Sequence, residues 1–333
     1  MDNEQRKGDH KRNVELEAIL KTLNSQFSQI ENDLAPNYAK LQFPPVFIVG
    51  IARSGSTLVY QYLASTGLFS YPSNIISRFY QAPYIGALLH KMFIDLDDKN
   101  EFFSKNIGYS SQLGKTEGAA SPHEFWYFWR RFFNFDKIQK LGNDELKHVD
   151  LNGFIKGLSS IEAVFDKPLL MKGMILNWNL DYLYQNLPDS IFIFVHRDPV
   201  MHMHSLYKAR KSFFGTVDKW YSFLPPEYPE LKKQSVYEQL AGQVILGNQS
   251  IKKQMDGFDQ KRYIDITYED FCKNPPGLVK QITERMAHLS RSNMKQPNLK
   301  YQEAFEISDA ITDAEFDENK ARDAINAVRH GNT

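Results

Sequence analysis

The stretch that most constrains this chain is a run of four apolar residues, Val46-Phe47-Ile48-Val49, which ends in Gly50 and leads through Ile51-Ala52-Arg53-Ser54 to Gly55-Ser56-Thr57. An unbroken β-branched and aromatic run has no polar face to offer water, so it suits a strand buried on both faces, the habit of parallel sheets. Leu58 to Leu63 then reads as a helix, and strand, glycine turn and helix together open a βα unit. Three further candidate strands are Leu169-Leu170-Met171, Ile191-Phe192-Ile193-Phe194-Val195 and Tyr263-Ile264-Asp265-Ile266, each leading into a helical pattern. Strands alternating with helices predict an α/β fold with a mostly parallel sheet.

Around this frame the chain divides into an N-terminal helical extension (1–43), a main domain (44–290) and a C-terminal segment (291–333) expected to be weakly ordered. Apolar residues at Leu16, Ile19, Leu20, Leu23, Phe27, Ile30 and Leu34 recur at helical spacing and predict an accessory helix over Val14–Leu34. That helix is also a candidate surface for pairing two copies of the chain. The stretch from about 70 to 165 is rich in Phe, Tyr and Trp without a strand pattern. It is expected to be a helical insertion covering the carboxyl edge of the sheet, where open α/β sheets bind ligands.

Lys plus Arg number 40, as do Asp plus Glu, so no overall charge favours nucleic acid or an anionic membrane, and any anion site must be local. The one cysteine, Cys272, can form no intramolecular disulfide. Together with a charged N-terminus lacking an apolar core and the lack of a membrane span, this predicts a cytoplasmic protein.

Gly50-x-x-x-x-Gly55 has the glycine spacing of a phosphate-binding loop, but Ser56 stands where a nucleotide-hydrolysing loop carries lysine. Backbone N–H groups and the following helix's dipole can still hold an anion, with hydroxyls from Ser54, Ser56 and Thr57 and a forked cation from Arg53. The simpler alternative is a strand-to-helix turn that uses glycine for geometry alone. Further along, the third strand runs into His196-Arg197-Asp198-Pro199. Asp198 and Pro199 are explained as the cap and first residue of a helix. Arg197 emerges at the carboxyl end of a central strand and is a candidate ligand.

These elements resemble the PAPS-dependent sulfotransferase family, PAPS being 3'-phosphoadenosine-5'-phosphosulfate. That family pairs a loop of the form (K/R)-S-G-(T/S)-T with a later strand ending in R-(N/D)-P and a serine eight residues after the arginine. Here they are Arg53-Ser54-Gly55-Ser56-Thr57 and Arg197-Asp198-Pro199 with Ser205, followed by Tyr268-Glu269-Asp270 and Asn274-Pro275. The match spans 44 to 286 and is closer to the bacterial and carbohydrate-type branches than to the cytosolic phenol and steroid enzymes. The resemblance implies a P-loop NTPase-like three-layer fold with helices on both faces of the sheet. It implies that Arg53 to Thr57 cradle the 5'-phosphosulfate, that Arg197 and Ser205 grip the 3'-phosphate, and that Tyr268 meets adenine, unless it is simply a packed tyrosine. PAPS would be the co-substrate, 3'-phosphoadenosine-5'-phosphate (PAP) the product, and no metal would be needed.

Sulfuryl transfer requires a base for the acceptor's proton and cations for the leaving phosphate. Arg53 and the strand-end Lys172 are the expected cations. The cytosolic branch places a histidine two residues beyond that lysine, where this chain has Met174, so the base lies elsewhere. Candidates are Glu124, His123 and Glu117, although Ser121-Pro122-x-Glu124 also reads as a capping box opening an aromatic helix over 125–133. Trp126, Tyr127, Phe128 and Trp129 suggest a planar or glycan acceptor, or else core packing. His196, His202 and His204 lack the companions of a metal site. The competing readings are a P-loop kinase or nucleotide hydrolase, with Lys172 on phosphate and Asp198 on Mg²⁺, and a binding module without catalysis.

Overall fold

In a computed structural model, which describes residues 6–35, 40–290 and 302–331, the strands in chain order are β1 (Val46–Val49), β2 (Ser111–Gln112), β3 (Lys115–Thr116), β4 (Leu170–Lys172), β5 (Ile191–His196) and β6 (Tyr263–Thr267). The four longer ones form a parallel sheet in the order β4-β1-β5-β6. Side chains alternate between its faces, as strand geometry requires. Phe47, Val49, Met171, Phe192 and Phe194 join one apolar cluster with Trp129, Phe154 and Leu158. Val46, Ile48, Leu170, Ile191, Ile193 and Val195 join another with Val59, Leu63, Leu278 and Ile282. Helices therefore cover both faces, and the continuous apolar strands are explained by double burial.

Chain order sends β4 to one side of β1 and β5 to the other, so a crevice opens at the carboxyl end of β1. The register aligns Ile48 with both Lys172 and Ile193, and His196 with Thr267. The residues after these strands, Gly50 to Gly55, Gly173, Arg197 and Tyr268, consequently gather along one edge.

The insertion is mainly helical, with α3 at Pro83–His90, α4 at Trp126–Phe132 and a longer helix at Leu151–Phe165, but it also contains the two-residue strands β2 and β3. Strands this short carry no periodicity to read. The N-terminal helix α1 spans Val14–Leu34, with Asn13 Oδ1 capping Leu16 N at 3.0 Å. It docks differently from the expected apolar stripe. Leu20 is buried, but so are Asn24, which bonds Arg78 O and Gln81 N, and Glu31, which accepts from Tyr84 N and Ile85 N at the start of α3. Ile19, Leu23, Ile30 and Leu34 remain exposed.

Part of the C-terminal segment corrects the expectation of weak order. Glu318–Arg329 is a helix that buries Ala321, Ala324, Ile325 and Val328 in a cluster with Leu240, Ala241 and Val244 of the helix Val236–Met255. Its charged residues hide a short apolar stripe, two of whose four members are alanine. Residues 291–301 lie outside the described residues.

Candidate active site

The loop after β1 needs backbone that most residues avoid. Gly50 has φ 145°, Arg53 72° and Gly55 96°. A Cβ on Gly50 would strike Val195 O, and one on Gly55 would strike the Tyr268 ring, so both positions require glycine. Two contacts that the sequence did not announce hold the loop. Asn177 Nδ2 donates to Gly50 O at 2.8 Å, and His202 Nε2 donates to Ala52 O at 2.8 Å. Burial pulls the His202 pKa down to about 3, so the ring is neutral in ordinary buffers.

Inside this loop Ser54 is fully buried and its Oγ has no hydrogen-bond partner among the described residues. A helix following Gly55, here α2 (Ser56–Ser65), leaves its first N–H groups without helix acceptors, and no side chain caps it. An orphan hydroxyl beside an uncapped helix start leaves hydrogen-bond donors of the kind that suit an anion. Ser56 Oγ is 3.6 Å from Met174 Sδ, so the position where the cytosolic branch keeps histidine does lie beside the loop, filled by a thioether.

At the end of β4, Lys172 is 3% exposed and reaches two partners at once. Its Nζ donates to Thr57 Oγ1 and to Glu124 Oε1, each at 2.7 Å. The structure thus joins two predicted residues from distant parts of the chain, Lys172 and Glu124, to the loop after β1 through one ammonium.

The capping-box explanation of Glu124 is corrected. The aromatic helix starts at Trp126, its cap residue Phe125 sits at φ 57° without a side-chain cap, and Ser121 Oγ turns back to Glu117 O. Glu124 is therefore free of a capping role and half-exposed toward the loop. His123 Nδ1 accepts from Phe125 N at 2.9 Å, and burial lowers its pKa to about 4. The neutral ring then carries its proton on Nε2 and has no lone pair left for an acceptor. Glu117 is exposed and offers its main-chain carbonyl to Ser121.

The second predicted element meets the first. Arg53 Nε donates to Ser205 Oγ at 3.2 Å, across from the loop to the helix Pro199–Phe214. Arg197 is 8% exposed, with its guanidinium carbon 4.7 Å from the centre of the Tyr268 ring and its Nη2 donating to Ser308 O at 2.7 Å. Its Nε lies 3.9 Å from Glu269 Oε1, and burial pulls its pKa below the usual arginine value. Asp198 Oδ1 caps the helix by accepting from Met201 N at 2.9 Å.

A sequence profile of the sulfotransferase family matches residues 44–288, most of the chain and every site residue described above except Ser308. The chain belongs to the sulfotransferase family. Among solved structures, sulfotransferase STF1 from Mycobacterium tuberculosis H37Rv is 13% identical, with 92% of this chain and 81% of that one covered at a TM-score of 0.49. Sulfotransferase STF9 from Mycobacterium avium is 14% identical, with 83% and 69% covered at a TM-score of 0.45. The sulfotransferase domain from the curacin biosynthetic pathway is 17% identical, with 88% and 98% covered at a TM-score of 0.40. No curated protein matches the chain at a significant level.

In this sulfotransferase the aromatic run at the start of α4 divides. Phe128 and Trp129 are fully buried in the core, while Trp126 packs on Phe223 at 4.8 Å between ring centres and Tyr127 donates to Glu17 of α1 at 2.6 Å. The remaining histidines also have local partners. His196 Nε2 is 2.8 Å from Asp265 Oδ1, and His204 Nε2 accepts from Asp313 N at 3.3 Å. Sequence reasoning missed Asn177, the loop-holding role of His202, and Ser308. The only signal for Ser308 would have been its chemistry as a main-chain carbonyl, which sequence does not carry.

Proposed function

We propose that this sulfotransferase moves a sulfuryl group from PAPS to a hydroxyl or amine of an acceptor, with Glu124 as the base. The observation that carries the reading is the Lys172 ammonium shared between Thr57 of the phosphate loop and Glu124. In-line attack forms a bond from the acceptor oxygen or nitrogen to sulfur while the bond from sulfur to the 5'-phosphate oxygen breaks. The acceptor's proton passes to the Glu124 carboxylate, and the charge left on PAP is met by Lys172 and Arg53. Ser54, Gly55, Ser56 and Thr57 supply hydroxyl and N–H donors to the phosphosulfate, and the buried orphan Ser54 Oγ is a donor that such an anion would satisfy. Arg197 and Ser205 hold the 3'-phosphate, with Tyr268 supporting the Arg197 guanidinium. His123 positions the backbone next to Glu124.

The cations in this reading are protein side chains, so no metal enters it. A kinase or hydrolase would need Asp198 for Mg²⁺, but that carboxylate caps a helix. Among the described residues no helix is long and apolar enough to cross a membrane. The lone Cys272, buried, supports placing the protein in a reducing, cytoplasmic compartment. The reading is tested by thermal unfolding with PAP or with ATP and Mg²⁺. PAP at about a hundred times its Kd should add about 2.7 kcal/mol of stability, and ATP much less. Equal stabilisation by ATP would remove the donor assignment.

A further inference from the structure

The β2–β3 hairpin belongs to none of the motifs, yet its turn lies over the transfer cluster. Leu113 and Gly114 both have positive φ, 50° and 90°, an unusual demand on leucine. A Cβ on Gly114 would lie 3.4 Å from Glu124 Oε1 and 3.6 Å from Thr57 Oγ1. Bare backbone therefore roofs Glu124, Thr57 and the Lys172 ammonium between them.

A ladder pairing only Ser111 with Thr116 and Gln112 with Lys115 cannot hold such a roof by itself. Side chains from elsewhere anchor it. Gln61 of α2 donates to Gly108 O at 2.8 Å and Ser110 O at 2.9 Å, and Asn74 donates to Thr116 O at 3.2 Å and Gly118 O at 2.8 Å. Those bonds fix the feet of the hairpin. Its tip is held by Tyr221, whose hydroxyl donates to Leu113 O at 3.3 Å. Tyr221 is itself braced, since its carbonyl accepts from Gln243 Nε2 at 2.9 Å and its ring meets Phe213 edge-on at 5.6 Å. Burial pushes its hydroxyl pKa up to about 12, so it remains a donor throughout the physiological range.

We propose that Tyr221 is a positioning residue that latches the Leu113-Gly114 turn over Glu124 and Thr57, and that the latched turn keeps water from the sulfuryl group. The inference rests on the donor and base roles proposed above. A base poised for an acceptor hydroxyl serves water equally well. Water's oxygen then bonds to sulfur, the bond from sulfur to the phosphate oxygen breaks, and the proton goes to Glu124, leaving PAP and sulfate. A roof that excludes water suppresses this loss.

The experiment needs no acceptor. Wild type and Tyr221→Phe, which keeps the ring and its packing, are compared in PAP affinity, in sulfate release from PAPS in buffer, and in amide hydrogen exchange across residues 108–116. PAP affinity should stay within about twofold, while exchange at the turn quickens by about fivefold, the share of one modest hydrogen bond. Sulfate release should rise by a similar factor. A purely structural tyrosine would lower or leave unchanged the rate of sulfate release, and either result with PAP affinity retained overturns the proposal. Unchanged exchange at the turn overturns it as well. Failure of the wild type to bind PAP would instead strike the donor reading, with the exchange comparison still deciding whether the latch exists.

Discussion

At the Thr57 end of the site one ammonium is shared by a hydroxyl and a carboxylate, whereas at the Arg197 end a guanidinium lies between a tyrosine ring and a main-chain carbonyl. The difference is one of chemistry. The Lys172 ammonium has three N–H donors, of which two are engaged, and its partner Glu124 can accept a proton. Arg197 stays charged, keeps a planar fork and can only bind. Both cations are almost fully buried, and each is held by contacts from chain segments far from its own strand. In the proposed reading the first end does the transfer and the second measures the donor.

The sharpest way to break that contrast is Glu124→Gln. Turnover should fall about a hundredfold or more while PAP affinity holds, because Gln keeps the shape but cannot take the proton. Activity surviving in a sulfate-transfer assay would end the role of Glu124. Arg197→Ala should act on the other quantity, weakening PAP binding by about 2–3 kcal/mol in calorimetry with little change in turnover at saturating donor. Should that variant lose turnover instead, the division between the two ends fails.

The Thr57 end also hangs from His202, which ties the loop to pH. The folded pKa of about 3 lies below the ordinary 6.5, so the stability this ring contributes is present above pH 6.5 and is lost as pH falls toward 3. Glu162, pushed up to about 7 by burial, has the opposite sign, losing stability as pH rises from 4.5, so a single pH curve would blend the two. The comparison of wild type with His202→Gln isolates the histidine. In urea unfolding the cost of that substitution should shrink by about 2 kcal/mol between pH 7 and pH 5. A pH-independent difference would show that His202 is not held neutral.

The smallest expected effect concerns Tyr268. Replacing it by Leu removes the ring beneath Arg197 and should weaken PAP about fivefold, while Phe, which keeps the ring, should bind nearly as well as wild type. Equal loss in both variants would point to the hydroxyl and its long 3.4 Å contact with Ser308 N instead.

The sheet and the glycine-bounded loop after β1 were legible in the sequence because their signals are local. Three short apolar runs, a fourth interrupted by Asp265, a glycine pair and the Arg197-to-Ser205 spacing all lie within single segments, and double burial forces continuous hydrophobicity onto the inner parallel strands. Local reading failed where two explanations share one pattern. Ser121 and Glu124 stand at capping-box spacing, yet the left-handed Phe125 delays the helix and frees the glutamate for Lys172. The C-terminal segment looked too polar to order, yet its alanines fit closely against a neighbouring helix. The Tyr221 hold on the turn over Glu124, the Asn177 and His202 ties, and the Ser308 carbonyl against Arg197 join residues 108 to 150 positions apart. Sequence determined which groups exist and which strands carry them to one edge. Only the tertiary structure decided which of them meet, because a contact between distant segments depends on packing that no local pattern records.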